Sequence, residues 1–523
     1  MVGVMEDAVA CNGGRILPNS REDGGLWWPV MEVGLQWKVG VAMVAALACD
    51  SGSWNGECVA VGDLRWDGIG HLVSMVELGK LILNHQPSIS IIIFFTSSPY
   101  DTGKTAPYIS RVAATTPSIT FHNLPTVTLP PNSSYGAVDQ LFGLPRLNNP
   151  DVHQALQTIS QTSGLKAFII DFFCDAAFEV STSLGVPTYY FFTSGASALS
   201  MFLYLTTLDK TTTGSIKDLK DYIEFPGTPP IFPTDLAEPL FDRHSTAYKR
   251  FIDTAAHMAK SSGIIANTFE SLEPRAVKAI SEGLCVPDAP TPPVYCVGPL
   301  IASSDQASDE QGCLSWLSSQ PSKSVVFLCF GSMGLFKAEQ LTEMAVGLEN
   351  SGHRFLWVVR SPPPTDDQAK HPSALPEPNL DTLLPKGFLD RTRNRGLVVK
   401  SWAPQLAVLN HDSVGGFVTH CGWNSTLEAV CAGVPMIAWP LYGEQRMNRI
   451  FLVEEIKVAL PLDESEDRFV SAAELEKRVR ELMDSSSGKA VRDRVREMRD
   501  GARAAFQPNG SSGIALAEFL KQT

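Results

Sequence analysis

The segment GGFVTHCGWNSTLEAVCAG (415–433) passes from an uninterrupted apolar run through a polar turn into a helical pattern. An apolar run without alternation is typical of a strand buried on both faces of a parallel sheet. Gly422 allows the turn, and Gly433 is predicted to end the helix. Asn424 and Ser425 are predicted to be the N-cap residues of that helix. Strand, turn and helix in this order indicate a doubly wound α/β fold.

The same alternation continues in both directions, with helical segments such as 71–85 and 338–352 between apolar runs. Because the runs fall into two groups, we expect two doubly wound, Rossmann-like domains. These domains would face each other across a cleft lined by the carboxyl ends of both sheets. The predicted strands are 89–96, 118–124, 165–171, 187–193, 263–269, 324–330, 354–360, 397–401, 415–420 and 435–440.

A segment rich in proline, serine and acidic residues, 287–313, separates the two groups and is predicted to connect the domains. The predicted units are an atypical N-terminal extension (1–60), an N-terminal domain (61–298), the linker (299–313), a C-terminal domain (314–505) and a C-terminal helix (506–523).

Composition limits the classes of partner. The 523-residue chain has a formal net charge of −14, which argues against nucleic acid or an anionic membrane as the main partner. No apolar run reaches 18 residues, so we expect a cytoplasmic protein without membrane insertion, and a monomer. The ten cysteines include no CxxC pair and predict reduced, buried side chains rather than a zinc or redox site.

Ligands of doubly wound sheets bind beyond the carboxyl ends of the strands. The run 324–330 is followed by GSMG (331–334), whose small residues let backbone N–H groups approach a phosphate. Taken alone, a tight turn is the simpler explanation. The run 397–401 is followed by WAPQ (402–405), where the indole of Trp402 offers a stacking face for a base. A core tryptophan remains the alternative.

Polar residues are densest in HCGWNSTLE (420–428). A helix N-terminus presents free N–H groups and partial positive charge, which suit a diphosphate, and His420 adds donors toward the same anion. Glu428, one turn into the helix, suits the hydroxyls of a ribose. After the next strand, Glu444 and Gln445 offer acceptor and donor groups for sugar hydroxyls. In chain order, these features suit a nucleotide-sugar.

The 44-residue segment from WAPQ to YGEQ (402–445) resembles the signature box of plant UDP-glycosyltransferases. The likeness extends from about Gly68 to the C-terminus, and FLCFGSMGLF and PSITFHNLP resemble the branch that acts on flavonoids, chalcones and related phenolics. The resemblance implies the two-domain GT-B fold and an enzyme that glucosylates a small phenolic acceptor.

The resemblance also implies a donor site. A terminal Gln445 goes with glucose in many members, and relatives that transfer glucuronate can carry arginine at the position of Trp423. Because arginine would pair with a uronate carboxylate and tryptophan cannot, the expected donor is UDP-glucose, with no cofactor. The implied contacts are Trp402, Ala403 and Gln405 with uracil and ribose, Glu428 with the ribose hydroxyls, Ser332, His420, Asn424 and Ser425 with the diphosphate, and Trp423, Glu444 and Gln445 with the sugar.

His71 in GIGH (68–71) and Asp171 in DFFC (171–174) match the family's catalytic base and the aspartate that orients it. Taken singly, either residue would more often be a helix cap. The start of a helix disfavours imidazolium, which keeps His71 basic. The implied reaction is an in-line displacement in which the acceptor oxygen loses its proton to His71, attacks the anomeric carbon and inverts its configuration. No DxD-like motif follows the predicted strands, so no metal is expected.

The residues before GIGH depart from the family pattern. VGDLRWD (61–67) places Asp63, Arg65 and Asp67 in or beside a strand that should be buried, where unpaired charges are costly.

Residues 1–60 resemble nothing in the family, which an incorrect gene model would explain, and CVAVGDL (58–64) is a candidate substitute strand. The competing hypothesis is therefore a homologue that binds UDP-sugar but is catalytically impaired. A Rossmann oxidoreductase is disfavoured because no GxGxxG follows a strand.

Overall fold

The computed structural model describes residues 45–47, 57–62, 70–96, 105–127, 137–302, 309–363 and 376–523. Within them the chain builds two sheets, each covered by helices, and this arrangement confirms the predicted α/β class.

The N-terminal sheet has the strand order β4-β3-β1-β2-β5-β6-β7-β8, with β2 also paired to β3. The short β1 is antiparallel to its neighbours, and the other strands are parallel to one another. β1 to β8 are Ala45–Leu47, Glu57–Gly62, Ser90–Thr96, Ile119–Leu124, Gly164–Asp171, Thr188–Phe192, Gly263–Ala266 and Val294–Cys296.

The C-terminal sheet is wholly parallel in its described residues, with the order β11-β10-β9-β12-β13-β14. Each strand predicted from an apolar run is present, whereas β1, β8 and β14, of three residues each, were not predicted. β9 to β14 are Val325–Cys329, Arg354–Val359, Gly396–Lys400, Val414–Thr419, Met436–Ala438 and Ala459–Pro461.

Helices connect the strands, and none in the described part of the chain is long and apolar enough to cross a bilayer. α1 to α8 are Gly70–His85, Thr105–Thr115, Ala137–Leu147, Asn149–Thr162, Ala177–Ser183, Ala196–Thr211, Thr246–Met258 and Pro274–Ser281. α9 to α18 are Cys313–Ser318, Ala338–Ser351, Leu380–Leu383, Phe388–Thr392, Gln405–Leu409, Trp423–Ala432, Gln445–Ile450, Ala472–Asp484, Ser486–Ala505 and Ser511–Gln522.

Strand order reverses once in each sheet. The chain moves outward from β2 to β3 and β4, then returns to place β5 on the other side of β2. In the same way β10 and β11 lie on one side of β9, and β12 lies on the other. Ligands of doubly wound sheets bind at this reversal. The residues that follow β2, β5, β9 and β12 are therefore the ones positioned to form a site.

β2 occupies the central position expected of a first strand, so the predicted substitute strand (58–64) is confirmed over most of its length. A domain boundary between residues 60 and 61 is wrong, because one strand contains both residues. The charged residues Asp63, Arg65 and Asp67 lie outside the described residues, as do residues 1–44 and 48–56 of the predicted extension.

The last helix, α18, returns to the N-terminal sheet. The ring of Phe519 packs edge-on against Tyr189 and Tyr295, with centroids 5.0 and 5.5 Å away. The Ser512 hydroxyl donates to the carbonyl oxygen of Gly298 at 2.6 Å. The chain therefore passes between the domains twice, once before α9 and once before α18.

Candidate active site

His71 and Asp171 meet where the order of the N-terminal sheet reverses. His71 is the second residue of α1, and Asp171 is the last residue of β5. Nδ1 of His71 lies 2.7 Å from Oδ2 of Asp171, and the N–H of Phe173 donates to Oδ1 at 2.9 Å. The carboxylate is fully buried, whereas 33% of the imidazole is exposed. With its Nδ1 proton directed at the carboxylate, the imidazole carries its lone pair on Nε2.

The helix of the polar turn begins at Trp423, two residues earlier than a cap at Asn424 would place it. Gly422 is the N-cap of α14, so Asn424 and Ser425 are its second and third residues, and the prediction that they cap it is wrong. The Ser74 hydroxyl donates to Oδ1 of Asn424 at 3.2 Å, which joins α1 to α14 across the domains. A Cβ on Gly70 would lie 2.9 Å from Nδ2 of Asn424, so a larger residue here would displace the Asn424 amide.

His420 is wedged between this turn and the GSMG loop. A Cβ on Gly331, whose φ is +70°, would lie 2.7 Å from Nε2 of His420. Burial lowers the pKa of His420 to about 4, so the ring is neutral near pH 7. His420 can therefore donate one hydrogen bond but brings no charge, and the positive potential expected at this turn comes from the helix N-terminus.

The turn after β11 presents Trp402, whose side chain is 43% exposed beside the buried Ala403. Gln311, near the end of the predicted linker, holds this turn. Its Nε2 donates to the carbonyl oxygens of Lys400 and Trp402, at 2.9 and 2.8 Å, and its Oε1 accepts from the N–H of Lys400 at 2.8 Å. An exposed indole on a fixed turn can stack on a planar base.

Gln405 connects this end of the site to α14. Its Nε2 donates to Oε2 of Glu428 at 2.6 Å and to the hydroxyl of Ser425 at 2.9 Å. Burial raises the pKa of Glu428 to about 7, and the hydrogen bond from Gln405 opposes this shift. The three side chains form one polar cluster, with a carboxylate that can accept from a diol.

Glu444 and Gln445 lie at the turn between β13 and α15. Oε1 of Gln445 accepts from the N–H groups of Leu441 and Tyr442 at 2.9 and 3.1 Å, so its carbonyl end stabilises the turn. Burial raises the pKa of Glu444, whereas a backbone hydrogen bond and the charge of His71 act in the opposite direction.

Trp423 does not offer its polar atom to this site. Its indole is buried, and Nε1 donates to the carbonyl oxygen of Asn267 at 2.7 Å. This hydrogen bond ties α14 to the N-terminal domain. The predicted contact of Trp423 with the sugar stays a prediction.

A family model described as UDP-glucoronosyl and UDP-glucosyl transferase matches residues 287–494. UDP-glycosyltransferase 88B1 of Stevia rebaudiana is 57% identical over 457 residues, which are 87% of this chain and 96% of that protein. The chain belongs to the UDP-glycosyltransferase family. The predicted glycosyltransferase activity and the family assignment are confirmed.

The names of two further members indicate donors and acceptors that occur in this family. Baicalein 7-O-glucuronosyltransferase of Scutellaria baicalensis is 50% identical over 451 residues, 86% of this chain and 100% of that protein. UGT2 of Phytolacca americana, solved in complex with UDP-2fluoro-glucose and pterostilbene, is 38% identical with a TM-score of 0.76, over 87% of this chain and 97% of that one. The predicted GT-B fold is confirmed by this likeness.

Two residues of this glycosyltransferase site were not predicted. The Thr193 hydroxyl, directly after β6, lies 3.3 Å from Nδ1 of His71. Arg360, directly after β10, donates from Nη1 to the carbonyl oxygen of Ser332, the exposed residue of the GSMG loop. Both were counted as the last residues of predicted strands, so the strand-end rule that located the other residues would have found them.

The raised pKa of Glu428 predicts a pH dependence of donor binding in this glycosyltransferase. Below about pH 7 the carboxyl is protonated, and above it the ionised form accepts ribose hydroxyls more strongly. The affinity for UDP-glucose should therefore fall as pH decreases from 8 to 6, by up to about tenfold if only the ionised form binds. Calorimetry without acceptor measures this, and Glu428→Gln should bind more weakly with a flat profile. An unchanged slope in that variant would assign the titration to another group.

No group of three or more His, Cys, Asp and Glu side chains able to hold a metal ion occurs in the described part of the chain. Metal independence of the transfer stays a prediction.

Proposed function

We propose that this glycosyltransferase moves glucose from UDP-glucose to a hydroxyl of a small phenolic and forms a β-O-glucoside by inversion, without a cofactor or metal ion. The observation that carries the proposal is the His71–Asp171 pair, 2.7 Å apart, next to the N-terminus of α14. A base with a fixed tautomer and an anion-binding helix end are the two groups that an inverting displacement on a nucleotide-sugar needs.

In this mechanism Nε2 of His71 accepts the proton of the acceptor hydroxyl while its oxygen attacks the anomeric carbon from the face opposite the diphosphate. The bond between that carbon and the diphosphate oxygen breaks, and its electron pair leaves with UDP. The N–H groups at the start of α14, with Asn424 and Ser425, stabilise the departing negative charge. Asp171 stabilises the imidazolium that forms.

An aromatic wall beside His71 supports a phenolic acceptor. The ring of Phe173 lies 5.7 Å from the imidazole, and Phe142 and Phe172 pack edge-on against it at 5.5 and 5.2 Å. Edge-to-face aromatic contacts suit a planar aromatic substrate. We expect the acceptor pocket to be walled by segments 97–110, 131–150 and 193–210. Their described residues belong largely to α2, α3, α4 and α6, whereas 97–104 and 131–136 lie outside the described residues.

The choice of glucose over glucuronate rests on charge. Trp423 has no positive group to pair with a uronate carboxylate, and Glu444 at the sugar turn would repel one when ionised. A relative that is 50% identical is named as a glucuronosyltransferase, so glucose and glucuronate must both be tested as the transferred sugar of this chain.

The competing hypothesis, an impaired homologue that only binds UDP-sugar, rested on the abnormal residues before His71. β2 reaches the centre of the sheet, and His71 reaches Asp171, so the structural reason for impairment is weakened.

Turnover is the experiment that tests the proposal. The purified 523-residue chain is incubated with UDP-glucose, UDP-galactose or UDP-glucuronate and a panel of flavonoids, chalcones and stilbenes, with and without EDTA. We expect mono-glucosides by mass, a β-anomeric proton coupling by NMR, and no loss with EDTA. Binding of UDP-glucose without product would instead support the impaired homologue, and faster glucuronate transfer would overturn the assigned donor.

A further inference from the structure

The turn between β12 and α14 contains a backbone conformation that L-residues with a Cβ seldom adopt. Cys421 has a φ of +65°, in the left-handed region, and its side chain is fully buried. Such a conformation persists only where surrounding contacts enforce it. It also determines the position of this turn, because Cys421 stands between His420 and the N-cap Gly422.

Asn448 makes the short contact that holds this turn. Its Nδ2 donates to the carbonyl oxygen of Cys421 at 2.9 Å, whereas the contacts between Cys421 and Thr419 measure 3.4 and 3.7 Å. Asn448 is fully buried, and its Oδ1 makes no hydrogen bond within the described residues. Burying an amide with one unpaired end costs free energy, so the hydrogen bond from Nδ2 to the Cys421 carbonyl must offset part of that cost.

Asn448 is also tied to the turn expected to hold the sugar. It lies in α15, which begins at Gln445, and its N–H donates to the carbonyl oxygen of Glu444 at 3.0 Å. Asn448 therefore connects two turns, through its side chain to the one at the start of α14 and through its backbone to the one at the start of α15. A bound nucleotide-sugar places its diphosphate at the first turn and its sugar at the second.

We infer that Asn448 is a positioning residue, which holds Cys421 in its left-handed conformation and thereby sets the distance between the diphosphate and sugar ends of the donor site. The inference rests on the proposed function, because it requires one UDP-sugar to span both turns. Asn448 acts through the Cys421 peptide and contacts no reacting atom.

The test is Asn448→Asp, which keeps the shape of the side chain but replaces the donor with an acceptor facing the Cys421 carbonyl. The Kd of UDP and the KM of UDP-glucose should each rise about tenfold or more, because a buried carbonyl loses its partner. The KM of the phenolic acceptor should change less than about twofold, since its expected site lies on the other domain.

Asn149→Asp is the matched control. Nδ2 of Asn149 donates to the carbonyl oxygen of Ala176 at 2.8 Å, and its Oδ1 is likewise buried without a partner within the described residues. This control loses the same kind of bond in the N-terminal domain, so it should cost thermal stability but leave the Kd of UDP unchanged. Equal donor affinity in Asn448→Asp and the wild type would overturn the inference. A wild type that binds no UDP would instead overturn the proposed function.

Asn448→Ala, compared with and without Cys421→Gly, tests whether Asn448 acts through the conformation of Cys421. The same pair of variants replaces Asn448→Asp if that protein does not fold. Glycine adopts the left-handed conformation without steric penalty. The double variant should therefore recover a large part of the UDP affinity lost in Asn448→Ala. No recovery would show that Asn448 does not act through the conformation of Cys421.

Discussion

Replacing His71 with alanine is expected to lower kcat for glucosyl transfer by about 10²–10⁴-fold, the usual contribution of a general base. Phenol oxygen would then lose its proton only to water. The Kd of UDP should stay within about twofold of the wild-type value, because the donor contacts of Trp402, Gln405 and Glu428 lie on the other domain. Single-turnover rates at saturating UDP-glucose, with calorimetry for UDP, measure both quantities.

The chain offers a control with the same chemistry. His257 pairs through Nδ1 with Oδ1 of Asp175 at 2.9 Å, and this pair contributes to the core of the N-terminal domain. His257→Ala should lower thermal stability and leave kcat within a few-fold of wild type. A wild-type rate in His71→Ala, or an equal loss in both variants, would contradict the role of His71 as base.

Asp171→Asn is expected to reduce kcat by a similar factor, on the order of 10²–10⁴, although the residue touches no substrate. Asparagine can still accept from the N–H of Phe173, but its amide would donate toward Nδ1 of His71. The imidazole would then carry its proton on Nε2 and could not accept one from the phenol.

Asp175→Asn separates this effect from a general loss of buried charge. Asp175 accepts from Tyr190 at 2.8 Å and pairs with His257, so this variant should lose stability rather than rate. Kinetics of both variants, with folding checked by thermal melts, give the comparison. Asp171→Asn with more than about a tenth of wild-type kcat would show that the tautomer of His71 does not limit the reaction.

Elements with local signals could be predicted from the sequence. Buried parallel strands carry apolar residues on both faces, so runs such as 324–330 and 354–360 can be assigned as strands from the sequence alone. The same rule predicts site residues after the strands, such as Trp402, His420 and Glu444. The roles of His71, Asp171 and Gln405 follow instead from the resemblance to the family.

Features that depend on residues far apart in the chain could not be predicted. Trp423 lies beside the donor residues in sequence, but its indole donates to Asn267, 156 positions away. Gln311 lies in a segment whose composition indicates only a linker, and its partners are about 90 positions on. The N-cap of α14 was misplaced because asparagine and serine are favoured at that position by propensity, whereas Gly422 occupies it.

The return of α18 to the N-terminal sheet has a consequence for exchanging halves between relatives. A chimaera joined only in the linker would place one parent's Phe519 against another parent's Tyr189 and Tyr295, an aromatic contact that the two parents did not evolve together. An exchange of the N-terminal domain between relatives therefore requires two junctions, so that α18 comes from the same parent as the N-terminal sheet. A fusion partner attached at Thr523 would likewise lie on the N-terminal domain, although the chain leading to it comes from the C-terminal domain.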